Sequence, residues 1–355
     1  MAIPKFPTVK QSFHSELKRR INEYFETTGK PVEGNAQLYT KAIILLTSFC
    51  FLYLHLVFFT PATFWAIIEC VLLGIVVAGI GFNIMHDGAH GSFSKHKWLN
   101  KAAAFTLNVL GGSSFMWNVK HNVIHHAYTN IDGVDDDIDI QPWLRMSSTQ
   151  PRLAMHRYQH VYFWFLYSLL YILWIFLLDF QKYFKRKVGE MPLKKMSMAD
   201  HVIFWSSKLF FLFVFVALPI YNVGFTDWLI GFLTFTLVAG FVISIVFQLA
   251  HTVEHTHFPV PDEVTGKLED EWAIHQLKTT ANFAPKNKLI SWFVGGLNFQ
   301  IEHHLFPKVS HVHYAQIRKI IKQACAEYGV PYIEYTKMRQ AVVSHASFLK
   351  QMGRG

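Results

Sequence analysis

The stretch Phe64–His90, FWAIIECVLLGIVVAGIGFNIMHDGAH, decides how this chain is read. Its apolar part, Phe64–Met85, is long enough to cross a bilayer, which takes roughly 20 apolar residues. The run gives way directly to His86 and, one helical turn later, His90. Two imidazoles one turn apart share a helix face, and imidazole is the commonest protein ligand for transition metals. The stretch predicts a membrane helix that delivers a pair of metal ligands to the bilayer surface.

Similar groups recur downstream. His121, His125 and His126 stand in HNVIHH, His251 closes QLAH, and His303 and His304 stand in QIEHH behind Gln300. Each group adjoins a membrane-length apolar stretch or shares a face at spacings of three and four. The other histidines, among them His14, His55, His96, His156, His160 and His201, read as structural or interfacial. Eight in register do not, because burying them without a metal leaves many ring N–H groups to satisfy. A zinc site takes four ligands, or three plus water. Eight imidazoles suit two iron ions with about four each, leaving positions open for oxygen. The expected ligands are therefore His86, His90, His121, His125, His126, His251, His303 and His304, with no catalytic group beyond them. Ligating histidines need acceptors for their second nitrogen, and Asp87, Glu254, Glu302 and the run Asp132–Asp139 are candidates. The alternative for that run is a solvated acidic loop; it lacks the spacing of a calcium loop. His251-Thr-Val-Glu-His255 matches the H-x-x-E-H pattern of some zinc proteases. That reading leaves the other seven histidines unexplained, so His255 and His257 are taken as structural.

Composition agrees with a membrane setting. The chain has 355 residues, of which 52% are hydrophobic and 16% charged, and its mean hydropathy is +0.22. That is too apolar for an ordinary soluble enzyme. Net charge is +9 without a polybasic tail. The Lys and Arg residues cluster beside apolar segments, as membrane topology requires, which argues against nucleic acid as a partner. Three cysteines are too few for a disulfide scaffold or cysteine-ligated clusters. The first twenty residues hold no signal-peptide core.

Five apolar stretches approach spanning length: Ala42–Phe59, Phe64–Met85, Val161–Leu178, Ile203–Tyr221 and Trp228–Ala250. Residues 1–42 carry seven basic residues and Gln181–Asp200 carries six, whereas the joints Thr60–Thr63 and Asn222–Asp227 carry none. The positive-inside rule makes the first two regions cytoplasmic and both joints external. If the histidines form one centre, an even number of crossings separates His126 from His303. Val161–Leu178, rich in Tyr, Phe and Trp, is the stretch set aside as an interfacial or re-entrant helix. The expected fold is all-α: four crossings in two hairpins, an interfacial helix and a cytosolic histidine-rich cap, with both termini inside. Five crossings, the alternative, would put the third histidine group on the wrong side. The chain reads as one domain, 1–355. It comprises a cytosolic segment 1–41, a transmembrane core 42–260 with the first two histidine groups, and a cap 261–355 with the third. Residues 12–26 and 313–328 read as amphipathic or packing helices.

The boxes HDGAH, HNVIHH and QIEHH, with their flanks HHAYTNIDGVDDDID and FQIEHHLFP, resemble the membrane fatty acid desaturases. They are most similar to the branch with Gln in place of the first histidine of the third box, which includes front-end and linoleoyl-type acyl desaturases. The similarity runs from about residue 40 to residue 320. It implies two irons held by the eight histidines, His251 serving as the extra ligand from the last span in a Gln-x-x-His setting with Gln248. Gln300 would coordinate or hydrogen-bond. It implies O₂ as co-substrate and a fatty acyl-CoA or lipid-linked acyl chain as substrate. Electrons would come from a ferredoxin or cytochrome b5 type donor with its reductase, a separate protein because no His-Pro-Gly-Gly haem motif is present. Arg145, Arg152, Arg157 and Lys182–Lys187 are available for a headgroup, although membrane topology accounts for them equally well. The expected location is an integral membrane site on the cytoplasmic face, in a bacterial inner membrane rather than the endoplasmic reticulum. The same ligands serve acyl hydroxylases and epoxygenases. A histidine-lined metal transporter would carry its ligands inside the spans instead.

Overall fold

The computed structural model describes residues 4–355 and is almost wholly helical. Helix α1, Phe13–Thr28, starts where the Ser12 hydroxyl accepts from the Ser15 amide and ends on Gly29 at φ 63°. Its stripe Phe13, Leu17, Ile21 and Phe25 is buried, as the periodicity requires. Among the described residues, five helices are long and apolar enough to cross a membrane. The first two are α2, Ala36–Phe58, and α3, Thr63–His90, which pack side by side. Asn35 opens α2 by accepting from the amides of Gln37 and Leu38.

Beyond α3 come α4, Lys97–Val109, and α5, residues 114–128. The α4 backbone presses onto the end of α3, and a Cβ at Gly88 would meet the Ala104 nitrogen at 2.6 Å. Only glycine fits between His86 and His90. Helix α6, Ala154–Lys185, is one continuous element that extends past the apolar core Val161–Leu178 at both ends. A short hairpin of β1, Lys187–Val188, and β2, Met191–Pro192, leads to α7, Met198–Val223. Gly224 then turns the chain into α8, Phe225–His251.

Helix α8 lies at the centre, against α3 on one side and α6 on the other. The α6 contact is close. Ser244 donates to the Tyr167 carbonyl at 3.1 Å, and a Cβ at Gly240 would stand 2.3 Å from the Ser168 carbonyl oxygen. Aromatic pairs extend it, Tyr171 with Phe235 and Phe176 with Phe232. The remaining elements are α9, Trp272–Thr279, β3, Asn282–Phe283, α10, Lys288–Phe293, α11, Gln300–Leu305, α12, Tyr314–Tyr328, β4, Glu334–Tyr335, which pairs in parallel with β3, and α13, Met338–Arg354. Helix α12 stops at Gly329, φ 66°, as read from the sequence. Helix α13 packs Ala341, Phe348 and Leu349 into the same core as the long helices.

Among the described residues, four helices contain a π turn: Gly81–Met85 in α3, Asn118–His125 in α5, Trp174–Leu178 in α6 and Phe213–Ala217 in α7. The first two adjoin or carry histidines, where such bulges re-aim side chains. Gly240→Ala should destabilise the protein by about 1–3 kcal/mol through overpacking against α6. A lowered melting temperature in detergent, with Gly81→Ala near wild type because its site is open, would show it.

Candidate metal centre

The three sequence groups and His251 converge on one buried cluster. His86, His90, His121 and His303 bring four ring nitrogens within 4.8 Å of one another, and His125, His251 and His304 bring three. His126 stands between the groups, its ring centroid 4.6 Å from that of His303 and 4.4 Å from that of His304. The π turn in α5 accounts for this placement. α-Helical spacing pairs His121 with His125, but the widened turn makes the His126 amide bond the His121 carbonyl. The Nε2 atoms of His121 and His126 thereby come within 3.2 Å.

The helix ends carry these side chains because of what surrounds them. All six residues of α11 are buried. Trp117 stacks on His121 with centroids 4.4 Å apart and packs with Met85, Leu107 and Trp174, closing one wall with apolar surface. The outward ring nitrogens are fixed by acceptors. His125 Nδ1–H donates to Asp135 at 3.0 Å and lies 3.2 Å from Asp137. His304 Nδ1–H donates to Gln276 Oε1 at 2.7 Å, and His251 Nδ1–H to the Thr279 carbonyl at 3.3 Å. His303 Nδ1 meets the Tyr314 hydroxyl at 3.1 Å. Pinning Nδ1 leaves the Nε2 lone pair facing inward.

Inside the cluster most of the nitrogens have no partner beyond one another and Gln300. Nε2 of His86, His90, His125, His303 and His304, Nδ1 of His126 and Oε1 of Gln300 are all buried without a hydrogen bond. Orphaned buried polar atoms are costly and rare, and here they converge. Burial, reinforced by neighbouring imidazoles, holds His121, His126, His303 and His304 well below the usual histidine range. They are neutral, which is the form that binds metal. Burial also acts to lower His125, but Asp135 and Asp137 outweigh it and raise that ring. A set of neutral imidazoles with inward lone pairs fits a pair of transition-metal ions.

The expected supporting residues divide. Asp87 is buried and accepts from His311 at 2.9 Å and Ser310 at 3.0 Å, with His86 Nδ1 at 4.0 Å. Gln300 Nε2 lies 3.0 Å from His251 Nε2. Within Asp132–Asp139 the roles differ: Asp135 and Asp137 face His125, Asp136 and Asp137 hold Lys120, and Asp132 accepts from Thr149 and Gln150. The reading of a purely solvated loop does not hold for Asp135, which is buried.

Three placements correct the sequence reading. Glu254 turns away from the histidines to accept from Ser347 and Gln351, and His255 stacks near Tyr335, so the H-x-x-E-H match assembles nothing. Glu302 points to Asn282 and Tyr332, because successive helix positions face different ways. Gln248 reaches the Asp137 carbonyl and Thr252 rather than a ring. Two of the cations considered for a headgroup are spent on structure. Arg145 donates to the carbonyls of Gln150, Ser148 and Met352, and Lys182 pairs with Asp136 at 3.1 Å. Gln276, Thr279 and Tyr314 carried no pattern in the sequence that marked them.

Comparison with known proteins agrees with this site. The sequence signature described as fatty acid desaturase matches residues 62–336. A sn-1 linoleoyl-lipid 6-desaturase of Arthrospira platensis is 38% identical over 343 residues, covering 96% of this chain and 92% of that protein. A protein of the same description from Synechocystis sp. is 36% identical, covering 98% and 97%. An acyl-lipid (8-3)-desaturase of Physcomitrium patens is 35% identical, covering 97% of this chain and 72% of the other. The chain belongs to the fatty acid desaturase family. It is an oxidoreductase of lipid metabolism, with histidine groups suited to metal.

Gln276→Leu removes the acceptor of His304 and should weaken metal retention about 10–100-fold. Metal content after graded chelator treatment would measure this.

Proposed function

We propose that the protein desaturates a lipid-linked fatty acyl chain in an oxygen-dependent reaction, at two irons held by His86, His90, His121, His125, His126, His251, His303 and His304. The observation that carries this reading is the convergence of buried, unpartnered imidazole nitrogens in a member of this family. The overall change is –CH₂–CH₂– plus O₂, two electrons and two protons giving –CH=CH– plus two waters. Bound iron supplies the activation of O₂ needed to oxidise an unactivated C–H bond.

The chain's own residues do the rest. Asp135, Gln276 and Thr279 hold the rings in orientation, so the metal-facing lone pairs are preorganised. Trp117 and Phe247, whose ring lies 5.9 Å from His121, keep water from the reacting carbons. Gln300 beside His251 is placed as a further ligand or hydrogen-bond partner. The relatives named for acyl-lipid substrates support a lipid carrier. Electrons would arrive from a ferredoxin or cytochrome b5 type protein on the cytosolic surface, which is the basic side.

The same reading sets the topology at four crossings, with the centre on the cytoplasmic face. Three long apolar helices separate His126 from His303, yet the rings of those residues stand 4.6 Å apart. An even number of crossings is needed. On this reading α6 is the helix left out of the count, because residues at each of its ends bond to the loops beside the histidines. Gln159 bonds Arg145 and Leu349 at its start, and Lys182 bonds Asp136 near its finish.

His303→Ala should cut iron content and abolish product while the protein remains in the membrane; full activity with full iron would refute its ligand role. Mass spectrometry of lipids from an expressing host should show loss of two hydrogens, and an added oxygen atom would mean hydroxylation or epoxidation instead. A cysteine placed at Asn222 should label from outside the cell and one at Gly189 only after permeabilisation. External labelling at both would overturn the four-crossing arrangement.

A further inference from the structure

Helix α10 buries none of its six residues. Leu289 is 76% exposed and Trp292 40%. Yet α10 is fastened to the first helical hairpin. Asn83 donates to the Phe293 carbonyl at 2.7 Å, Phe293 lies beside Gly79 of α3, and the Lys41 ammonium of α2 sits 5.5 Å from the Trp292 ring. The outward apolar face is therefore level with the cytoplasmic ends of two spanning helices, where the neighbouring medium is lipid. Exposed Leu and Trp flanked by lysine make an interfacial element.

Beside it runs a groove lined by Lys286, Asn287, Lys288, Thr336 and Lys337. Among the described residues no carboxylate lies within 4.0 Å of these three ammonium groups. That sets them apart from Arg145, Lys120 and Lys182, whose donors are spent inside the protein. Inward from α10, aromatic rings lead to the histidines. Phe293 is 6.2 Å from Phe82, Phe82 is 6.4 Å from Phe247, and Phe247 is 5.9 Å from His121.

We infer that the Lys286–Lys288–Lys337 groove seats the anionic headgroup of a cytoplasmic-leaflet lipid, and that a lipid-linked acyl chain reaches the histidines from this side along Phe293, Phe82 and Phe247. Charge complementarity and continuity with the membrane surface select a lipid as the occupant. The entry route rests on the reading of a lipid carrier given above; the headgroup seat does not.

The test uses the full-length iron-loaded protein in nanodiscs of phosphatidylglycerol and phosphatidylcholine, then extracted in detergent, with retained lipid counted by mass spectrometry. Wild type should keep phosphatidylglycerol in preference. The K286A/K288A/K337A variant should lose that preference by about fivefold per lysine, while K286R/K288R/K337R keeps it and so guards against misfolding. For acyl-phosphatidylglycerol the alanine variant should raise KM and leave kcat near wild type. Equal retention by wild type and the alanine variant would overturn the seat. So would release of the lipid by inorganic phosphate or free coenzyme A, which would assign the groove to a soluble ligand. Product formed only from acyl-CoA, with phosphatidylglycerol retention intact, would overturn the lipid carrier and the route but leave the seat standing.

Discussion

Everything in this structure is organised around the difficulty of burying imidazole. A neutral ring has one donor and one acceptor nitrogen, and eight such rings face each other in a space closed to water. Each outward N–H that can be traced finds an oxygen, while the inward nitrogens of His86, His90, His125, His303 and His304 find nothing among the protein atoms. Such an arrangement is suited to hold something electrophilic in the middle. Burial keeps the nitrogens of His121, His126, His303 and His304 deprotonated, while Asp135 and Asp137 raise His125. Burial, which ordinarily penalises a titratable group, here selects the protonation state that the chemistry needs.

The long helices serve this constraint by acting as struts. Helix α8 carries His251 to the histidine cluster and is clamped between α3, which carries His86 and His90, and α6. The clamp is tight enough to exclude a single methyl group at Gly240. At the other end of α3, Gly88 lets α4 lie against the backbone between two histidines. Small residues at both points convert helix packing into a fixed separation between groups that lie far apart in sequence.

Much of this was legible in the sequence, and for a definite reason. Histidine spacing and apolar run length are local properties, so HDGAH, HNVIHH and QIEHH, the stripe of α1 and the stop of α12 could be read residue by residue. The misses came from tertiary choices. Nothing local says that residues 118–125 form a π turn, which moves His126 over His121 as well as bringing His125 inward. Nothing local distinguishes Asp135, buried against His125, from Asp132 three residues earlier. Glu254 and Glu302 were attractive because they adjoin histidines in the chain, but Glu302 faces away from its helical neighbours and Glu254 lies in the turn beyond α8. Helix α6 exceeds its apolar core because Gln159 and Lys182, polar residues that end the run on paper, find partners at Arg145 and Asp136.

The oxygens that orient the histidines come late in the chain. His125 can find Asp135 as soon as both are made, but His304, His251 and His303 depend on Gln276, Thr279 and Tyr314. No half of the polypeptide holds a finished set of aimed nitrogens. The first two histidine groups therefore become part of a complete, oriented set only when α9, α11 and α12 stand against them.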